Sequence, residues 1–170
     1  MKLITRTVMS SALAAVAVMT VTITPVMAAD STADADMIKR GLYIARLGGC
    51  NDCHTKGYLM NEGKVPVDQW LKGSDFGWRG PWGTTYPPNL RLFVSKLTED
   101  EWVEKAKTLK RRPPMPWFNL NTMTETDLRA LYRFIRSLGD PGPQAPEFVP
   151  PGEEPHTAYA LFPSPPPEAK

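Results

Sequence analysis

The sequence predicts an all-α fold, a small domain with one helix before and one after a glycine- and proline-rich middle. Three observations carry that expectation. Apolar residues recur at helical spacing in two separated segments, 37–48 and 124–138. Helix-capping signatures stand at Thr98 and Thr124. The intervening stretch 55–97 shows neither strand nor helix periodicity.

At the N-terminus, Lys2 and Arg6 make a positive start, Val8 to Ile23 runs without a charge, and Val26-Met27-Ala28 offers the small residues at which a signal peptidase cuts. Residues 1–28 are therefore expected to be a secretory signal, cleaved after Ala28 or, as second choice, after Ala29. A retained membrane anchor is the competing reading, because the apolar run approaches the length of a tilted span. Pro25 ahead of a small-residue site favours removal. Loss of Lys2 and Arg6 with the leader cancels the formal net charge of +2, so no overall charge would draw the exported chain to nucleic acid.

Residues 29–36 are small and acidic and are expected to be a short mobile lead-in. From Met37 the pattern is helical, with Met37, Gly41, Ile44, Ala45 and Gly48 on one side and Lys39, Arg40 and Arg46 elsewhere; Gly48-Gly49 ends it. Residues 55–97 are rich in Gly, Pro, Trp and Tyr and read as a long loop, which inside a compact domain needs some further source of order. Thr98-Glu99-Asp100-Glu101 forms a capping box ahead of a short helix carrying Trp102, Val103, Ala106 and Leu109, closed by Pro113-Pro114. Thr124-Glu125-Thr126-Asp127 opens the last helix, where Leu128, Leu131, Tyr132, Ile135 and Leu138 recur until Gly139 and Pro141 stop it. Residues 37–139 thus form one domain. Ten prolines from Pro141 to Pro167 leave 140–170 as an extended tail, lying over the domain or free of it.

The first helix leads directly into Cys50-Asn51-Asp52-Cys53-His54. Two thiols three positions apart can close thioethers onto the two vinyl groups of one porphyrin, while the adjacent imidazole reaches the iron from the same side. The pentapeptide therefore reads as covalent attachment of one haem c, with Cys50 and Cys53 as tethers and His54 as an axial ligand of the iron. A structural zinc would want four Cys or His ligands, and the chain offers only these three and the distant His156. A thioredoxin-like disulfide expects a strand-turn-helix setting, and no valine- or isoleucine-rich strand precedes Cys50. Export and haem attachment support each other, since c-type haem is attached outside the cytoplasmic membrane. No second such motif occurs.

The second axial ligand separates an electron carrier from a site that binds oxygen or substrate. Met60 follows His54 too closely to cross to the opposite face. Met115 stands within Pro113-Pro114-Met115-Pro116, where flanking prolines fix the backbone and suit a rigid loop holding a thioether against iron. Met115 is thus the expected ligand, with Met123 in reserve; packing without ligation is the ordinary role of a methionine. His156 reads as a solvated tail residue. The cluster Lys105, Lys107, Lys110, Arg111 and Arg112 just before Met115 is either a solvated face or a basic docking surface beside the haem.

Together these positions resemble a class I cytochrome c: an N-terminal helix into the Cys-x-x-Cys-His motif, an intervening loop and short helix, a methionine loop, and a C-terminal helix across the first. Gly41 and Tyr132 are the small and aromatic partners that this crossing implies. The stretches Gly41-Leu42-Tyr43-Ile44-Ala45-Arg46, Pro81-Trp82-Gly83-Thr84-Thr85-Tyr86-Pro87-Pro88-Asn89-Leu90 and Pro114-Met115-Pro116 are similar to single haem units of the cytochrome c subunits of bacterial alcohol and aldehyde dehydrogenases. The likeness covers about residues 39–138, and it implies haem contacts from the Pro81–Asn89 loop; Trp82, Tyr86 and Trp102 read equally as core aromatics.

The function so implied is transfer of single electrons between redox proteins, a dehydrogenase and an oxidase or another cytochrome, by a periplasmic mono-haem protein without a stable membrane span after signal cleavage. With both axial positions filled, no substrate can coordinate the iron, so no catalysis is expected. A dedicated electron-transfer subunit of a periplasmic dehydrogenase complex is the alternative. A haem catalyst such as a peroxidase, with Met115 off the iron, is a third reading.

Overall fold

The computed structural model describes residues 26–163. The charged start and apolar run of the expected leader lie outside these residues. In chain order the described elements are α1 (Val26–Leu47), α2 (Cys50–His54), β1 (Gly77–Gly80), β2 (Gly83–Thr85), α3 (Leu90–Val94), α4 (Glu99–Thr108), α5 (Trp117–Thr122), α6 (Glu125–Ser137) and β3 (Tyr159–Leu161). No helix among the described residues is long and apolar enough to cross a membrane.

The central packing event is α1 across α6, and glycine makes it possible. A Cβ added at Gly41 would fall 2.0 Å from the Ala130 carbonyl oxygen and 2.5 Å from the Phe134 Cβ. The two backbones therefore touch, and only the absence of a side chain permits it. The aromatic partner is Phe134 rather than Tyr132. Tyr132 points instead to the segment before α4, where its hydroxyl donates to the Leu97 carbonyl at 2.9 Å.

Around this crossing lies a core of Ile44 and Ala45 from α1, Trp102, Val103 and Ala106 from α4, and Leu128, Leu131, Phe134 and Ile135 from α6. Both predicted caps form. The Thr98 hydroxyl accepts from the Glu101 amide while the Glu101 carboxylate accepts from the Thr98 amide at 2.7 Å, and Thr124 caps α6 through the Asp127 amide. An ion-pair chain crosses three helices: Asp34 to Arg133 at 3.2 Å, Arg133 to Glu99 at 3.2 Å, and Arg129 to Glu99 at 3.4 Å and to Asp100 and Glu125 at 2.7 Å each. Residues 29–36, expected as a mobile lead-in, belong to α1 instead. Ala29, Ala33 and Ala35 are strong helix formers, and the Asp34 pair ties this turn to α6.

The middle departs from the all-α expectation. Residues 55–97 carry two single-turn 3-10 helices, at Leu59–Asn61 and Val67–Gln69, two strands and a short helix. Their order comes from their own backbone pairs. Gly73 donates to the His54 carbonyl at 2.8 Å, Ser74 to the Pro87 carbonyl at 3.1 Å, and Leu90 to the Leu71 carbonyl at 2.9 Å. The strands were illegible because each has only three or four residues, too few for alternation to show.

The tail lies over the domain. β3 pairs in parallel with β1, in the sheet order β2-β1-β3, so the tail strand takes an edge, the position its prolines allow. Thr84 and Val149 exchange backbone hydrogen bonds of 2.8 and 3.0 Å, Tyr86 shares one of 2.8 Å with the Thr157 hydroxyl, and Arg79 pairs with Glu154.

Candidate haem site

The turn between α1 and α2 sets the attachment motif. The Gly48 amide donates to the Ile44 carbonyl at 2.8 Å, and Gly49 takes the left-handed conformation at φ 66°. The chain thereby leaves α1 and re-enters a helix at once, a reversal that glycine makes without strain. Cys50 and Cys53 are then one turn apart on α2, both free thiols and both partly buried.

Burial pushes the Cys50 thiol up to about 11, and the Cys53 thiol is raised by the same cause. Both are protonated at neutral pH. A redox-active Cys-x-x-Cys depends on a lowered thiol pKa, so this environment is the opposite of a thioredoxin-like one. Nor is there, among the described residues, a group of three His, Cys, Asp or Glu side chains that could hold a metal ion.

His54 closes α2 and is buried. Its Nδ1 lies 2.8 Å from the Pro88 carbonyl oxygen. A carbonyl only accepts, so Nδ1 carries the proton and Nε2 holds the lone pair. Burial lowers the pKa of the ring, with the Pro88 carbonyl opposing, which keeps the imidazole neutral. The site is braced from below: Asn51 accepts from the Thr55 hydroxyl at 2.7 Å, and that hydroxyl accepts from the Leu71 amide at 2.8 Å.

Met115 is half-buried, in the turn between α4 and α5. Its carbonyl accepts from the Trp117 amide at 2.9 Å, and Asn121 ties α5 to the end of α4 through the Ala106 carbonyl at 2.6 Å. The reserve candidate Met123 packs on the end of α1, its Cε 3.6 Å from where a Gly48 Cβ would stand. Met60 is 88% exposed and His156 is exposed. In the Pro81–Asn89 segment, Trp82 Nε1, Thr84 Oγ1 and Thr85 Oγ1 are buried without a hydrogen-bond partner among the described residues. Trp102 is a core aromatic whose indole donates to the Leu128 carbonyl at 2.8 Å.

The basic cluster is exposed throughout; Lys107 lies 3.6 Å from Glu125, Arg111 donates to the Lys110 carbonyl at 3.1 Å, and the Arg112 guanidinium stacks 3.7 Å from the Phe148 ring centre. Two further features lay beyond sequence reading. Pro88 as the partner of His54 is a contact 34 residues away, and Asn89 carried only its N-cap signal.

No protein-family model matches the chain, and no solved structure matches it. Two curated proteins do. The chain is 27% identical over 113 residues to the cytochrome c subunit of the quinone alcohol dehydrogenase of Gluconacetobacter polyoxogenes, and equally to that of Komagataeibacter europaeus. The match takes in 61% of this chain but only 22% of the length of each relative. The chain is thus distantly similar to a c-type cytochrome domain of such subunits.

Proposed function

We propose that this chain is an exported mono-haem c-type cytochrome that passes single electrons between redox partners. The observation that carries the proposal is His54: a buried, neutral imidazole with Nδ1 engaged by Pro88 and Nε2 left as a lone-pair donor, directly after two protonated thiols one helical turn apart. Bound haem c would supply an iron that alternates between two oxidation states.

The residues present suit that group. Cys50 and Cys53 would tether the porphyrin, His54 would ligate through Nε2, and Met115 would offer its thioether from the proline-bracketed turn. The unpartnered donors Trp82 Nε1, Thr84 Oγ1 and Thr85 Oγ1 suit the carboxylates that haem carries, since a buried donor left without an acceptor is costly. Export of the chain, with the leader removed, belongs to the same reading. The similarity to alcohol dehydrogenase subunits favours a dehydrogenase as the electron donor, with this chain as its dedicated partner.

A potentiometric titration of the purified protein tests the function. A single reversible one-electron wave, with the reduced form indifferent to carbon monoxide, is expected. Ready binding of carbon monoxide would favour a haem catalyst with Met115 off the iron.

A further inference from the structure

Behind His54 two segments of the middle region meet the start of the tail. One, at 71–73, donates to the His54 carbonyl; the other, Pro88–Arg91, supplies the carbonyl that His54 Nδ1 donates to. Asn89, 3% exposed, uses its whole amide here. Its Oδ1 accepts from the Leu92 amide at 2.9 Å and caps α3, while Nδ2 donates to the Pro141 carbonyl at 2.6 Å and the Pro143 carbonyl at 2.9 Å. Arg91 repeats the tie. Its guanidinium donates to the Trp70 and Val67 carbonyls on one side and the Leu138 and Asp140 carbonyls on the other, at 2.6–3.1 Å. Gly73 completes the contact: a Cβ there would lie 2.9 Å from the Pro87 carbonyl oxygen and 3.0 Å from the Ala145 Cβ.

We propose that the proline-rich tail is a strap for the His54 side of the site, with Asn89 as its positioning residue. The Asn89 side chain couples the tail carbonyls at Pro141 and Pro143 to the adjacent Pro88 carbonyl, which orients the His54 ring. Three features make this coupling stiff. Prolines restrict the tail backbone, both amide protons of Asn89 are engaged, and its oxygen fixes α3. A carbonyl held against Nδ1–H fixes the ring tautomer and raises the basicity of Nε2, which favours the more oxidised state of a bound iron. The strap therefore acts on redox chemistry as well as on stability. This inference rests on the haem reading above.

Asn89→Ser in the full-length holoprotein is the test. Serine caps a helix as well as asparagine but cannot reach two tail carbonyls. The readouts are exchange of the His54 Nδ1 proton, followed by NMR in the reduced form, and the midpoint potential. Exchange about tenfold faster, as loss of two net hydrogen bonds allows, together with an upward shift of the potential supports the strap. Thr98→Ala supplies the comparison, because it weakens the cap of α4 with no link to Pro88. If Asn89→Ser behaves like Thr98→Ala, lowering thermal stability with exchange and potential unchanged, the positioning role is overturned. Should Asn89→Ser yield no holoprotein, Asn89→Asp keeps the volume and the cap while losing the donors. Faster Nδ1 exchange there supports the strap, and unchanged exchange overturns it. A parent protein that releases its haem on denaturation would instead overturn the haem reading beneath.

Discussion

At the scale of single residues, the chemistry of the site follows from what each polar atom touches. His54 donates through Nδ1 to a backbone carbonyl, which leaves only Nε2 for a metal, and burial keeps the ring neutral and able to ligate. In the proposed ligand pair Met115 would be the weaker half, because a thioether holds iron only if its loop holds it in place. Met115→Ala is expected to abolish the weak sulfur-to-iron band of the oxidised protein and to open the reduced iron to carbon monoxide, with the fold intact by circular dichroism. An unchanged spectrum would hand the role to another residue. The thiols differ in environment, Cys50 having the strongly raised pKa, and under the proposed reading both would meet haem as protonated thiols.

The elements were legible where a local rule governs them and obscure where a distant one does. Thr98 and Thr124 announced α4 and α6 because a cap is a matter of neighbouring residues. The sheet did not announce itself, since β1 finds its partners in β2 and in β3, about eighty residues away in the tail. Gly41 falls on the packed face by its helical spacing, and the reason it must be small is geometric: the α6 backbone occupies the place of its Cβ. Gly41→Ala should force α1 off α6 and destabilise by about 3 kcal/mol, at the upper end of overpacking costs; chemical denaturation measures it. Thr98→Ala should cost about 1 kcal/mol through its cap alone.

For the whole molecule, charge sets the response to pH and the approach of partners. Glu101 accepts from Thr98, Glu125 pairs with Arg129 and Asp127 with Arg40, and these contacts hold all three carboxyls below their ordinary values of 4.5, 4.5 and 3.8. A carboxyl whose folded pKa is depressed stabilises the fold above its unfolded pKa and loses that contribution as pH falls through the folded value. Burial lowers the His54 pKa as well, so thermal stability should begin to fall below about pH 6.5, where the unfolded imidazole takes up a proton that the folded one refuses, and fall further below about pH 4.5 as the carboxyls protonate. A melting temperature that rose on acidification would contradict the pairings. Near the Met115 turn, Lys110 and Arg111 form no ion pair among the described residues, whereas Lys107 faces Glu125. Reversing Lys110 and Arg111 to Glu should slow reduction of ferricyanide at low salt, an effect that fades once the screening length falls to about 10 Å near 0.1 M salt. The account as a whole stands on covalent attachment at Cys50 and Cys53, and the intact mass of the exported, denatured chain measures that most directly. It predicts a polypeptide heavier by one haem, with the haem lost from the Cys50→Ala, Cys53→Ala double variant; a denatured parent chain at the bare polypeptide mass would contradict it.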